Sequence, residues 1–227
     1  MLADLHTHTT CSDGLLTPRE LVLHARQKGI KVVAVTDHET SKGGLLAAAC
    51  SPRDMLVVPG MEYSLCSEAH ILVLGVQEQL VLQYRPLLEF LEWCKEQQYF
   101  TVLAHPFGKY AFMKFSATDS KEVLKLVDAV EVANGTAGPL CAYRTLLWAT
   151  NLPKNKAWTA GSDAHVAAAL GTAGLWLKEL PRNFDELLDV LKKKEFSVKI
   201  NKNPAAPFIF TSSSILQRMM RRPKAER

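Results

Sequence analysis

Residues 2–14 read LADLHTHTTCSDG: a short apolar run, two histidines two positions apart, then an aspartate five residues further on. On an extended chain successive side chains alternate faces, so His6 and His8 point the same way, at a common centre. Asp13 follows in the loop after that run. Further runs rich in Val, Ile and Leu recur at Lys31–Asp37, Leu56–Tyr63, His70–Val76, Phe100–His105, Ala129–Ala133, Ala157–Ser162 and Thr172–Leu177, with a last candidate at Phe196–Ile200. Most are nearly continuous in apolar residues rather than alternating, which suits parallel strands buried on both faces.

Helical segments lie between these runs. Thr17-Pro18-Arg19-Glu20 is a capping box with proline at the first helical position, and Gly29 closes that helix. Glu78–Gln98, Ser120–Val127, Pro139–Thr150 and Asn183–Lys194 read as further helices, with Leu80, Leu87, Leu88 and Leu91 forming a core-facing stripe. Alternating strands and helices without a linker or repeat argue one α/β domain, either an open sheet or a barrel. It spans residues 1–210, with a basic tail over 211–227.

The composition narrows the class further. The chain has 227 residues, 48% hydrophobic and 22% charged, which is globular rather than disordered. Residues 218–227 (RMMRRPKAER) hold five basic groups and one acidic group, so they account for the entire net charge of +4. The rest is formally neutral, and basicity belongs to the tail alone. The five cysteines show no C-x-x-C pair, which argues against a disulfide framework or thiolate zinc site and for a reducing, cytoplasmic setting. No leader-like start and no long apolar run appear, so neither secretion nor a membrane span is expected.

The histidines carry the functional signal. His38 ends a run in V-T-D-H, Glu62 ends one in P-G-M-E, His70 opens one in A-H-I-L-V-L-G, and His105 ends one in L-A-H-P. Asp163 and His165 close another in G-S-D-A-H, again two apart. Six of the seven histidines thus sit at strand ends or starts among carboxylates; only His24, inside the first helix, does not. A lone strand-end histidine is usually structural, but chance does not send nearly all of them to one rim. Imidazole with carboxylate and no thiolate suits Zn, Mn or Fe, and nine such groups can hold more than one ion.

The ordered set H-T-H-T-T-C-S-D-G, V-T-D-H, P-G-M-E, A-H-P and G-S-D-A-H resembles the PHP (polymerase and histidinol phosphatase) domain family from Leu2 to about Leu177. That resemblance implies a distorted (β/α)7 barrel, related to the amidohydrolases, with two to three divalent transition metals. One metal would take His6, His8, Glu62 and Asp163; a second the shared Glu62 with His70 and His105; a third Asp13, His38 and His165. It implies hydrolysis of a phosphoester through a hydroxide bridging the metals, with Asp163 orienting it and either His165 or water on the third metal protonating the leaving oxygen.

Lys109, Arg144 and Asn134 are candidate substrate contacts, Asn134 alternatively orienting a ligand. Asp4 and Asp37, each near a histidine, are candidate partners fixing an imidazole tautomer. The expected substrate is a small phosphorylated metabolite or nucleotide. A 5′–3′ exonuclease on short oligonucleotides, served by the tail, is one alternative, and a non-catalytic metal-binding scaffold is the other. Three divalent ions would outweigh Asp13, Glu62 and Asp163, making a cationic pocket in a neutral body, and that pocket favours phosphate. The oligomeric state is not legible.

Overall fold

The computed structural model describes residues 1–65, 69–107 and 117–200. Strands β1 (Leu2–Asp4), β2 (Ile30–Val35) and β3 (Leu56–Tyr63) lie side by side and parallel. Next comes β4 (Ile71–Leu74), antiparallel to both β3 and β5 (Phe100–Leu103); β5, β6 (Ala129–Asn134) and β7 (Ala157–Gly161) are again parallel. The chain beyond β1 then meets the chain beyond β7. Leu5 N donates to Ala160 O at 3.1 Å, Asp163 N to His6 O at 2.8 Å, and His8 N to Ala164 O at 2.9 Å. Thr7 pairs with Ala164 in parallel sense. Seven strands therefore form a nearly closed barrel, as expected. A hairpin-like pair, β8 (Gly174–Leu177) and β9 (Phe196–Lys199), extends the sheet from the edge of β1 at Leu2 and Ala3.

The antiparallel placement of β4 departs from the all-parallel reading. Only Ser64–His70 joins β3 to β4, whereas a parallel crossover needs a dozen or more residues. The spacing alone demands a reversal.

The continuous apolar runs are explained by two buried faces. Along β2, Val32 and Ala34 join a cluster with Ala3, Leu5, Val58, Leu72 and Val102, while Val33 and Val35 pack with Leu21, Val22 and Ala25. Those last three lie on α1 (Pro18–Gln27). The other strands pack outward against α3 (Leu87–Glu96) and α4 (Ala117–Leu126), through residues such as Phe90, Leu91 and Val123. The helix α5 (Pro139–Ala149) covers β6, and α6 (Phe184–Lys193) places Leu187 and Leu191 in the first cluster. Each fully buried Leu or Val adds about 1.5–3 kcal/mol of transfer free energy.

The Thr17–Glu20 capping box forms as read, with Thr17 N donating to Glu20 Oε2 at 2.8 Å. Two helical expectations change. Residues 78–86 are not helical; α3 starts only after Pro86, and Leu80 is a partly buried loop residue while Leu88 is exposed. Conversely, α2 (Lys42–Ala49) was not expected, because KGGLLAAA has two glycines and no side-chain cap. Its glycines are what its position requires: a Cβ on Gly44 would lie 2.8 Å from Gly60 N, so the helix backbone rests directly on β3. The division at residue 210, the basic tail and Lys109 lie outside the described residues.

Candidate metal centre

The parallel strands deliver their carboxyl ends to one rim. His6 and His8 follow β1, His38 follows β2, Glu62 sits near the end of β3, His105 follows β5, and Asp163 and His165 follow β7. His70 stands just before β4, and because that strand runs backwards, its start reaches the same rim. All nine candidates from the sequence are brought together here.

Glu62, almost fully buried, is the hub. Its Oε2 lies 3.3 Å from His6 Nε2 and 3.3 Å from His8 Nε2, while Oε1 meets His70 Nδ1 at 2.8 Å and His105 Nε2 at 3.2 Å. Asp163 Oδ1 stands across from the first pair, 3.5 Å from His6 Nε2 and 3.2 Å from His8 Nε2. On the other side of His8, Asp13 Oδ1 lies 3.1 Å from His165 Nε2, 3.8 Å from His38 Nε2 and 3.7 Å from His8 Nδ1. Ligand atoms of His6, His8 and Glu62 lie within 4.8 Å of one another, as do those of Glu62, His70 and His105. The same holds for His6, His105 and Asp163, and for a fourth group in which His8 joins Asp13, His38 and His165.

Two observations test whether a cation fits. Among the described residues neither ring nitrogen of buried His8 makes a hydrogen bond, although carboxylate oxygens stand 3.2 and 3.3 Å from Nε2, an arrangement that costs free energy unless something else satisfies them. The donor set is imidazole and carboxylate only, converging from several elements, which suits Zn, Mn or Fe. The residues fit divalent ions.

The electrostatics point the same way. Burial works to raise the Glu62 carboxyl, but the field of His6 and hydrogen bonds from His105, His6 and His70 hold it well below the usual range. Asp163 behaves alike, burial being outweighed by His6, His8 and His165. Burial likewise works to lower His6, and the fields of Asp163, Glu131 and Glu62 overcome it, raising that imidazole well above its ordinary value. His38 is the exception; there burial prevails and lowers it. Ionised Glu62 and Asp163 and a charged His6 thus favour one another at the centre, and His38 does not share in this.

A buried carboxylate that the sequence reading passed over organises the rim. Glu131 Oε1 lies 3.0 Å from His6 Nδ1, and Oε2 accepts from His105 N at 2.8 Å and Asn134 Nδ2 at 3.0 Å. The available signal was a glutamate within A-V-E-V-A-N, a strand otherwise apolar on both faces, where a carboxylate needs partners. Asp4 and Asp37 do not contact imidazoles, contrary to expectation. Asp4 accepts from Ser162 N at 2.7 Å, Ser162 Oγ at 2.6 Å and Gly171 N at 2.8 Å, tying β1 to the chain after β7. Asp37 accepts from Thr9 N, Thr9 Oγ1 and Ser12 Oγ, each at 2.7 Å, and so pins the loop that carries Asp13.

Asn134 is 4% exposed; it donates to Glu131, and its Oδ1 accepts from Thr136 N at 2.9 Å. This placement suits the orienting alternative rather than direct substrate contact. Arg144 lies on an exposed position of α5. His24 stays on α1, outside the clusters. His105 and Asp163 have positive φ, 29° and 54°, conformations that cost about 1–3 kcal/mol and persist where surrounding contacts enforce them.

A nearly closed seven-stranded α/β barrel with imidazoles and carboxylates converging on one rim defines a barrel protein with a candidate metal centre at the carboxyl ends of its strands. The PHP domain family model matches residues 4–203, and the chain belongs to that family. Among curated relatives, the 5′–3′ exoribonuclease Rnm of Salmonella typhimurium is 41% identical over 73 residues, 31% of this chain and 25% of its own length. The phosphoribosyl 1,2-cyclic phosphate 1,2-diphosphodiesterase of Eggerthella lenta is 38% identical over 84 residues, 34% of this chain and 32% of its own. The 3′,5′-nucleoside bisphosphate phosphatase of Chromobacterium violaceum is 38% identical over 78 residues, 32% of this chain and 27% of its own.

The matches thus span a third or less of these enzymes. Among solved structures, a two-domain protein from Bacteroides vulgatus containing a predicted PHP-like metal-dependent phosphoesterase superposes with a TM-score of 0.72 at 17% identity. That superposition covers 88% of this chain and 65% of the other. Family and relatives support a hydrolase acting on phosphoester bonds. No helix among the described residues is long and apolar enough to cross a membrane.

Proposed function

We propose that the protein is a metal-dependent phosphoesterase that hydrolyses a phosphate ester of a small metabolite or nucleotide. The observation that carries this reading is the division of Glu62, with one oxygen toward His6 and His8 and the other toward His70 and His105. One carboxylate facing two imidazole pairs is suited to bridge two ions. His6, His8, Glu62 and Asp163 would hold one, Glu62, His70 and His105 a second, and Asp13, His38 and His165, with His8 beside them, a third. Bound divalent ions supply a water acidified toward a pKa of ~7 and neutralise phosphate oxygens.

The chain's own residues do the rest. Asp163 turns Oδ1 to the cluster and keeps Oδ2 on Thr136, 3.0 Å away, so a nucleophile beside Oδ1 meets a fixed acceptor. His165, partly exposed, has its Nδ1 3.0 Å from the Asp163 carbonyl and so presents Nε2 beside Asp13; that nitrogen would either join the third ion or, while it holds no ion and is protonated, give a proton to the leaving oxygen. Lys109 and Arg144 are the candidate cations for the substrate's phosphate.

The relatives support three substrate chemistries: a nucleoside bisphosphate, a cyclic phosphodiester and an RNA 5′ end. The exoribonuclease relative and the basic stretch 218–227 together favour RNA as the second reading. A panel of these substrates with added manganese, at two salt concentrations, separates them. Turnover of the small substrates, abolished by chelator and in His6→Ala and Asp163→Ala, is expected. RNA turnover that falls steeply with salt and is lost on deleting residues 218–227 would favour the exonuclease. Bound metal without turnover of any substrate would leave the scaffold reading.

A further inference from the structure

We propose that Glu131, Asn134 and Thr136 form one hydrogen-bonded relay that sets the tautomer of His6 and holds Asp163 to a single inward oxygen. They would be positioning residues of the metal centre. The inference rests on the metal reading above and goes beyond it by assigning roles to three side chains outside the ligand set.

The relay starts at Glu131, which is 1% exposed. Its Oε2 is taken by two donors that cannot act otherwise, the His105 N–H at 2.8 Å and the Asn134 amide at 3.0 Å. Its Oε1 then faces His6 Nδ1 at 3.0 Å, so the imidazole proton sits on Nδ1 and the lone pair of Nε2 is turned to Glu62 and Asp163. A ligating histidine needs this tautomer.

The relay continues through Asn134. Its Oδ1 accepts from two backbone donors, Thr136 N at 2.9 Å and Ala137 N at 3.3 Å. The Thr136 hydroxyl lies 2.6 Å from that same Oδ1 and 3.0 Å from Asp163 Oδ2, with one proton to give. That proton is shared between the two acceptors, the shorter contact being to Asn134 Oδ1, and the carboxylate charge draws it toward Asp163 Oδ2. Asp163 Oδ2 is thereby held away, and only Oδ1 faces His6 and His8. The segment has no slack: a Cβ on Gly135 would lie 2.5 Å from Ser162 O, so Asn134 to Thr136 is pressed against the chain leading to Asp163.

The substitution Glu131→Gln tests the first half without changing shape. With two donors fixed on the Oε2 side, the new amide oxygen must stay there and its NH2 must face His6. His6 Nδ1 then becomes an acceptor, and its proton moves to Nε2, against the metal. Thr136→Val removes the hydroxyl at constant volume, and Thr136→Ser restores it. Each full-length protein, checked for fold by circular dichroism, is titrated with zinc against a chromogenic chelator. The imidazole 15N spectrum of the zinc-loaded protein reports the His6 tautomer.

For one zinc site, affinity is expected to fall about 10–100-fold in Glu131→Gln and Thr136→Val. The His6 nitrogen pattern should invert in Glu131→Gln only, and Thr136→Ser should bind nearly as wild type. Wild-type affinity with an unchanged spectrum in both weakened variants would overturn the relay, and a serine variant as weak as valine would overturn its Thr136 half. A wild-type chain that takes up no zinc would refute the metal reading itself, a separate and distinguishable failure.

Discussion

The seam where β7 meets the chain after β1 offers a sharp test through Gly161→Ala. A Cβ at Gly161 would lie 2.3 Å from His6 Cβ and 2.5 Å from His6 N, against an ordinary contact of 3.4 Å or more. Both neighbours belong to the backbone or its first carbon, so no flexible side chain can yield, and the seam must open by about 1.1 Å. Two hydrogen bonds flank the site, Leu5 N to Ala160 O at 3.1 Å and Asp163 N to His6 O at 2.8 Å. An opening of that size takes both beyond bonding range. Leaving buried amide groups unpaired costs about 1–3 kcal/mol each, so a loss of ~2–6 kcal/mol is expected.

His6 moves with the seam, and ligands displaced by this much should no longer share an ion. Urea denaturation with a zinc titration reads both effects. At a slope of about 2–3 kcal/mol/M the midpoint should fall by ~0.7–3 M, and at least one zinc should be lost. Gly138→Ala is the control. Nothing lies within 4 Å of its Cβ, its φ is −62°, and it should stay within about 1 kcal/mol of wild type. A Gly161→Ala protein that matches the control in midpoint and zinc content would refute the reasoning.

Other expectations follow from the same contacts. Zinc at 100 times its dissociation constant should stabilise the chelator-stripped protein by about 2.7 kcal/mol, read as a higher melting temperature, and Glu62→Gln should abolish most of that gain. Tyr63 OH bonds both backbone groups of Arg85 and its ring stacks on Phe90 at 3.9 Å. Tyr63→Phe should cost about 0.5–1.5 kcal/mol and speed hydrogen exchange at Arg85, since water replaces the lost partner. Burial pushes the Cys94 thiol up to about 12, so it should resist alkylation at pH 8 in the native protein while exposed Cys50 reacts; peptide mass mapping decides.

How much of this was legible in the sequence depends on the kind of signal. Eight of the nine rim residues were readable because they flank strand ends or starts, where position along the chain maps directly to one face of a barrel, and Asp13 because it follows the His6–His8 pair so closely. The barrel itself was readable through the family motifs, while the residues alone left an open sheet equally allowed. The reversal of β4 was legible in principle from the seven residues that join it to β3. The helix α2 was not, since its stability comes from glycine backbone resting on β3 rather than from propensity or capping. Glu131 and Thr136 escaped for a different reason. Their bonds to His6, His105 and Asp163 span 26 to 125 residues of sequence, and no local pattern encodes a hydrogen bond across that distance.

The two spaced pairs, His6 with His8 and Asp163 with His165, gain their meaning from the seam. Their middle residues, Thr7 and Ala164, are the ones that pair across it. The hydrogen bonds from Asp163 N to His6 O and from His8 N to Ala164 O belong to the ligand residues themselves. A slip of one residue by either segment in this register would turn its pair of side chains to the face opposite the other pair. Asp4 clamps the same seam through Ser162 and Gly171, and Glu131 steadies His6 from behind. Closing the barrel and assembling the ligand set are therefore one structural event. An ion held between His6, His8, Glu62 and Asp163 would join the chain after β1 to the chain after β7 and stabilise the closure that creates its site.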